Sequence, residues 1–161
     1  MTSPRRDRPV IPAGYGIKTD AAGMLEWEKI RGLISSAQTY WVATTLPDGA
    51  PHLTPIHASF AADRIYLGGD PETRWWRNLA ENPAVQVGIE DGQTHVIFRG
   101  RATITKPSPE RFAELAANVD SKYDWSMDES WELWEIAPAT VIAYDLTDFP
   151  SSPTRFRFGE G

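Results

Sequence analysis

The sequence predicts a mostly β fold with added helices, organised as a small closed or nearly closed antiparallel barrel. Three observations carry this expectation. Six or seven short runs rich in β-branched and aromatic residues follow one another. Hairpin-type turn residues separate neighbouring runs, as at Leu46-Pro47-Asp48-Gly49, Ala62-Asp63 and Asp91-Gly92. Helical periodicity interrupts the strands at only three places, without the regular strand–helix alternation of a doubly wound sheet. Closure removes the edges that so many short strands would otherwise expose.

Residues 1–20, with Pro4, Pro9, Pro12, Gly14 and Gly16, read as an extended N-terminal arm ahead of a single domain over 21–161. Trp27, Ile30, Leu33, Ile34 and Ala37 recur at helical spacing and predict an amphipathic helix over about residues 22–37. Tyr40–Thr45 reads as a strand. A second runs over about 51–60; Pro51 and Pro55 lack a ladder donor and predict an unpaired side or a bulge there. Arg64–Leu67 is the third, ending at Gly68-Gly69. Asp70 as N-cap and Pro71 at the first helical position open a short helix with Trp76, Leu79 and Ala80 on one face, stopped by Asn82-Pro83. Ala84–Ile89 alternates as a strand should. Beyond Asp91-Gly92 a long strand covers about 94–105, with Val96, Phe98, Ala102 and Ile104 on one face. Ser108-Pro109-Glu110 starts a helix whose buried stripe is Phe112, Leu115, Ala116 and Val119. Residues 120–130 read as a polar loop, Trp131–Ile136 and Thr140–Tyr144 as a strand pair or one bent strand, 147–154 as a connector and Arg155–Phe158 as a short last strand.

Composition narrows the function. The 161 residues are 41% hydrophobic, 24% charged and 11% aromatic, enough for one domain with a core and broad rings to bury. A net charge of −6 disfavours a general nucleic-acid binder. With no cysteine there is no disulfide, thiol nucleophile, Cys-ligated zinc or iron–sulfur cluster. No apolar run approaches the ~20 residues of a membrane span. The opening MTSPRRDRPVIPAG has no apolar stretch behind its arginines, so no secretory signal is read and a cytoplasmic protein is expected. His52 and His57 lie five apart on one strand, on opposite faces, so no metal site is expected. Neither G-x-S-x-G nor S-x-x-K occurs, and Glu132 and Glu135 read as solvated.

The strongest local chemistry is anion binding. Gly68-Gly69-Asp70-Pro71-Glu72-Thr73-Arg74 is a strand end, two glycines and a helix start, where free N–H groups and the positive end of the helix dipole attract phosphate. Thr73 offers a hydroxyl, Arg74 a bidentate guanidinium, and Arg77 follows one turn later. The alternative is an ordinary capped surface helix with two solvated arginines.

The order of the pieces carries a resemblance. Asp48-Gly49, Pro51-His52-Leu53-Thr54-Pro55, Thr73-Arg74-Trp75-Trp76-Arg77-Asn78-Leu79 and Asn82-Pro83-Ala84-Val85 follow the pattern of a D-G turn, a P-H-x-x-P strand, an S/T-R-K-x-x-N-L segment and x-N-P-x-V. The chain thus resembles the pyridoxamine 5′-phosphate oxidase-like superfamily of flavin-binding split barrels over about residues 24–145. Its arm and its closing Thr154-Arg155-Phe156-Arg157-Phe158 resemble a branch that includes deazaflavin-dependent reductases. The resemblance implies a six-stranded antiparallel FMN-binding split barrel, a homodimer with no nucleic-acid or membrane partner, and a cofactor in the groove between protomers. It implies a ring lying near His52 to Ile56, with Thr54, Pro55 and Ile56 at its edge. It implies a phosphate held by the strand end at Gly69, by Thr73 and by Arg74, with Arg77 assisting. FMN is the first expectation, the deazaflavin coenzyme F-420 the alternative. For the latter's polyglutamate tail Arg99, Arg101, Arg155 and Arg157 are candidates. Trp75 stands where many members carry Lys, so it could stack on a ring or fill a dimer interface. The implied activity is hydride transfer between the cofactor and a small organic substrate, with no catalytic acid or base recognisable. The rival expectation is a non-enzymatic module that holds a flavin- or haem-type ligand.

Overall fold

In the computed structural model, which describes residues 3–159, nine strands and three α-helices form one antiparallel sheet system. The strands are β1 (Arg5–Asp7), β2 (Tyr40–Thr45), β3 (Pro51–Ile56), β4 (Ala58–Ala61), β5 (Arg64–Leu67), β6 (Ala84–Glu90), β7 (Thr94–Thr105), β8 (Leu133–Asp145) and β9 (Thr154–Arg157). The helices are α1 (Trp27–Ser36), α2 (Arg74–Glu81) and α3 (Pro109–Asp120). The path β1-β9-β8-β7-β6-β2-β3 is completed by β4 on β5 and β5 on β8. Since β3 and β4 are separated only by His57, the path returns on itself. If β3 and β4 count as one strand that changes partner, the barrel is six-stranded, and β1 and β9 extend it at one edge.

The change of partner at His57 is what splits the barrel. β3 pairs with β2, β4 with β5, and neither has a second strand neighbour among the described residues. The run read as one strand over 51–60 is therefore two. Pro55, which has no N–H to give, sits in β3, where the outer edge is open. On the unpaired side of β4, side chains replace the missing strand. The amide of Phe60 donates to Asn118 Oδ1 at 3.0 Å, that of Ala58 donates to the Tyr123 hydroxyl at 3.3 Å, and the Ala58 carbonyl accepts from Lys122 Nζ at 2.6 Å. Buried backbone groups need partners, and α3 with its C-terminal end supplies them.

The hairpins turn where the Asp-Gly pairs stand, each Asp carboxylate accepting from backbone amides just ahead: Asp48 from Ala50 at 3.0 Å, Asp91 from Thr94 at 2.7 Å. β7 and β8 form the longest ladder, with a register shift between Arg99 and Gly100. A Cβ at Gly100 would lie 2.1 Å from the Ala137 carbonyl oxygen, so only glycine lets the strands approach there. The two segments Trp131–Ile136 and Thr140–Tyr144 resolve as this one bent strand, and Trp131 lies ahead of it. Glu135, read as solvated, accepts from Arg64 and from the Tyr66 hydroxyl, both at 2.9 Å.

The barrel interior is filled by Tyr40, Val42, Val85, Val87, Phe98, Ile136 and Val141, and α1 buries Trp27, Ile30 and Ile34 in the same core. The helix is shorter than its periodic pattern. Met24 and Leu25 precede it, and Trp27 begins it, 5.2 Å from the Phe156 ring. Part of the arm is ordered as β1, whose Asp7 holds both Arg155 (2.7 Å) and Arg157 (2.9 Å) of β9. No helix among the described residues is long and apolar enough to cross a membrane.

Candidate functional site

The side chains of β3 divide by alternation. His52, Thr54 and Ile56 stand opposite Thr44, Val42 and Tyr40 and point inward, half-buried, whereas Pro51, Leu53 and Pro55 point outward. The three residues expected together at a ring edge, Thr54, Pro55 and Ile56, thus lie on two faces of one open-edged strand. Pro55 and Ile56 meet again at the corner before β4, where both line a cavity of about 390 Å³ together with Gly69.

α2 starts later than its Asp70-Pro71 signature suggests. Asp70 instead closes a turn, its carboxylate accepting from the Glu72 amide at 2.7 Å and its carbonyl from the Thr73 hydroxyl at 2.7 Å. Thr73 is the N-cap and Arg74 the first helical residue. Trp75, Trp76, Asn78 and Leu79 are buried, and Ala80, expected on that face, is exposed. Arg74 and Arg77 project from the exposed side, with no carboxylate partner among the described residues. The Thr73 hydroxyl is already engaged with Asp70, so the uncommitted side-chain donors at this helix start are the two guanidinium groups.

Trp75 neither stacks outward nor lines an exterior interface. It is buried, with its ring centroid 5.6 Å from that of Trp76, which in turn lies 5.7 Å from that of Trp134. Its indole also explains Gly69, since a Cβ there would come within 2.7 Å of the Trp75 ring. The second glycine of the pair therefore makes room for a tryptophan.

Beyond these contacts, a side-chain link ties α2 to β3. The buried Asn78 amide donates to Thr44 Oγ1 at 3.0 Å, and Thr44 Oγ1 lies 3.4 Å from His52 Nδ1. Asn78 Oδ1 is buried with no partner among the described residues. His52 of the expected ring strand and the helix bearing Arg74 and Arg77 are thus joined through one β2 residue. Of the arginines expected to take an anionic tail, Arg155 and Arg157 are bound to Asp7, while Arg99 and Arg101 are exposed on β7.

The sequence reading passed over an aromatic group at the far side of the cavity. His57 stacks on Tyr123 (centroids 4.3 Å apart), Tyr123 on Trp125 (6.1 Å), and Trp125 is followed by Trp131 (6.1 Å). The signal was present as three aromatic residues inside the segment read as a polar loop and its margin. Lys122 lies over the Tyr40 and Tyr123 rings, and burial lowers its ammonium to a pKa of about 8. Burial raises the Tyr66 phenol to about 12, helped by its hydrogen bond to Glu135. Among the described residues no cluster of three or more His, Asp or Glu is placed to hold a metal.

The fold agrees with what the chain resembles. The family model for pyridoxamine 5′-phosphate oxidase matches residues 27–145, which takes in every barrel strand and both ends of the β3–α2 link. The chain belongs to the pyridoxamine 5′-phosphate oxidase family. No curated protein matches it. Among solved structures, a conserved hypothetical protein from Mycobacterium tuberculosis is 23% identical with a TM-score of 0.66, covering 80% of this chain and 90% of that one. An F-420 reductase is 18% identical with a TM-score of 0.55, covering 69% and 94%. A heme binding protein from Mycobacterium smegmatis is 15% identical with a TM-score of 0.58, covering 84% and 62%. At these identities the likeness is one of fold. Trp75, at the position where the resemblance implies a Lys, is a core residue in this chain.

Proposed function

We propose that the protein is a cytoplasmic oxidoreductase that binds FMN or the deazaflavin coenzyme between two copies of the chain and passes a hydride between that ring and a small organic substrate. The observation that carries the reading is the Asn78–Thr44–His52 link, which joins the helix bearing two unpaired guanidinium groups to the open-edged strand β3. A phosphorylated ring cofactor asks for a cationic anchor beside a flat wall with free backbone groups, and this donor set fits it. Arg74 and Arg77 would hold the phosphate beside the strand end at Gly69, and Pro55 and Ile56 would border the ring at the end of β3, which also carries His52 and Thr54. Thr73 would keep the helix start in place through Asp70. When bound, the cofactor supplies the redox chemistry, and the protein positions it and screens it from water. Family membership supports a flavin; the F-420 reductase of similar fold, with Arg99 and Arg101 free on β7, supports the deazaflavin.

The test separates phosphate from ring. A charge-assisted hydrogen bond contributes roughly 1.5–3 kcal/mol, so Arg74→Ala should weaken FMN binding about 10- to 100-fold while leaving riboflavin binding unchanged. Fluorescence titration measures both, and equal FMN affinity in parent and variant would overturn the anchor. The second reading, a non-enzymatic holder of a flavin- or haem-type ligand, is favoured by the loss of a cation at Trp75 and by the heme binding protein of similar fold. A bound ring that a nicotinamide donor reduces and a substrate reoxidises decides for the enzyme. Tight binding without turnover decides for the holder.

A further inference from the structure

We propose that the cavity between the β3–β4 corner and the segment 121–132 is a binding site for a neutral, planar aromatic molecule. Four of the seven tryptophans are core residues: Trp27, Trp75, Trp76 and Trp134 are all below 10% exposed. Trp125 and Trp131 are 37% and 42% exposed, and both line this cavity. An indole left this open to water loses the burial that usually justifies so large a side chain. Two of them in one short segment, facing one hollow, mark a surface built to be covered.

The lining states the chemistry of what covers it. No Lys, Arg, Asp or Glu side chain takes part among the described residues, and the walls are supplied chiefly by Pro55, Ile56, Met127, Leu133 and the two indoles, with His57 and Ser59 at the β3–β4 corner. The Tyr66 hydroxyl at the cavity is already committed to Glu135 at 2.9 Å. A charged ligand would lose its hydration here without gaining a counter-charge, whereas a flat neutral ring gains apolar burial and ring contacts. At about 390 Å³ the cavity falls within the range of small-molecule sites. The floor is closely packed: Gly68 brings the Trp131 ring and Leu133 close to the end of β5, and Tyr123, whose hydroxyl donates to the Gln38 carbonyl at 2.9 Å, backs Trp125. The inference rests on the cofactor reading above only for the role of the bound molecule as substrate. Because the cavity shares Pro55, Ile56 and Gly69 with the residues assigned to the cofactor, the substrate class it names is a neutral, flat aromatic compound. A phosphorylated amine does not suit it.

Isothermal titration with 2-naphthol and with its anionic analogue 2-naphthoate at neutral pH tests the site. The parent should bind the neutral probe at least tenfold more tightly than the anion. Trp125→Ala and Trp131→Ala should each weaken the neutral probe about tenfold or more, Trp131→Phe should restore most of the loss, and Tyr15→Ala, an exposed ring outside the cavity, should change nothing. Circular dichroism checks that the variants fold. The inference is overturned if 2-naphthoate binds as tightly as 2-naphthol or if the alanine variants bind like the parent. If the probe pattern appears but neither FMN nor the deazaflavin coenzyme binds, the ligand class of the cavity stands and the oxidoreductase reading fails.

Discussion

Gly100 shows how much one missing methyl group decides. The slip in register between β7 and β8 brings the Ala137 carbonyl to within 2.1 Å of where a Cβ would sit, and both partners are backbone, so neither side can rotate away. Gly100→Ala should therefore destabilise the fold by about 1–3 kcal/mol, the cost of forcing a shift in a packed region, read as a lower urea midpoint. A second residue-scale test concerns Trp75. Its indole fills the space over Gly69 and touches the Trp76–Trp134 group. Replacing it by the lysine of the family pattern should not restore a phosphate cation. It should instead cost about 3–5 kcal/mol in stability, as loss of a large buried ring does. A Trp75→Lys protein with parental stability and tighter FMN binding would show that position 75 faces the anion after all. Gly69 illustrates the limit of motif reading: the sequence pairs it with a phosphate turn, yet the atom that requires a glycine there belongs to a tryptophan six residues on.

At the scale of elements, what was legible is what local chemistry determines. The Asp-Gly hairpins, the alternation of β6 and the Ser108-Pro109 start of α3, where the Ser108 side chain accepts from the Arg111 amide, all follow from neighbours in sequence. What was not legible depends on distant partners. β1 is three residues without periodicity, and it is a strand only because β9 offers an edge. The division of 51–60 at His57 is an exchange of partners that no local signal marks. The start of α2 was misplaced because Asp70-Pro71 serves equally as a turn and as a cap. The inward His52 and outward Pro55 were foreseeable from strand alternation; the Asn78–Thr44 bond that ties α2 to them was not. The end of α3 carries a testable pH signature. Burial penalises the charged form of Lys122 and lowers its ammonium from the usual lysine range to about 8 in the fold. Between about pH 8 and 10 the unfolded chain therefore holds a proton that the fold has released, and stability rises with pH across that window. Tyr40 and Tyr123, whose phenols are raised by burial, act in the opposite direction once the unfolded tyrosines ionise near pH 10. Lys122→Met should abolish the rise, which a series of melting temperatures from pH 7 to 10 would register; an unchanged slope would mean that Lys122 stays charged in the fold.

For the whole molecule, the outer face of the barrel sheet is the remaining unbalanced surface. Cross-strand pairing puts Pro55, Trp41, Gly88, Ile97 and Ile142 in one row across five strands, all on the outward side. Leu53 stands beside this row, and Leu53, Trp41 and Ile97 are 62%, 44% and 37% exposed. A continuous apolar band of this kind is uncommon on a monomer and fits a self-complementary interface, which a stable dimer needs at about 800 Å² per partner. Polar residues flank the band: Arg99 stands on the next outward position of β7 and Gln86 opposite it, so the rim is polar as interface rims are. Sedimentation at micromolar concentration should accordingly give twice the chain mass of 18.0 kDa. Changing Trp41 and Ile97 to Glu places two carboxylates in the centre of the band, where a symmetric partner would bring two more against them. The double variant should run as a folded monomer, since neither side chain belongs to the barrel interior. If the cofactor site is shared between protomers, the same variant should also lose FMN affinity, although it leaves Arg74, Arg77 and the β3 side chains untouched. A parent protein that sediments at the mass of one chain would remove both the dimer and the shared site, while a monomeric double variant with undiminished FMN affinity would keep the dimer and confine the site to a single chain.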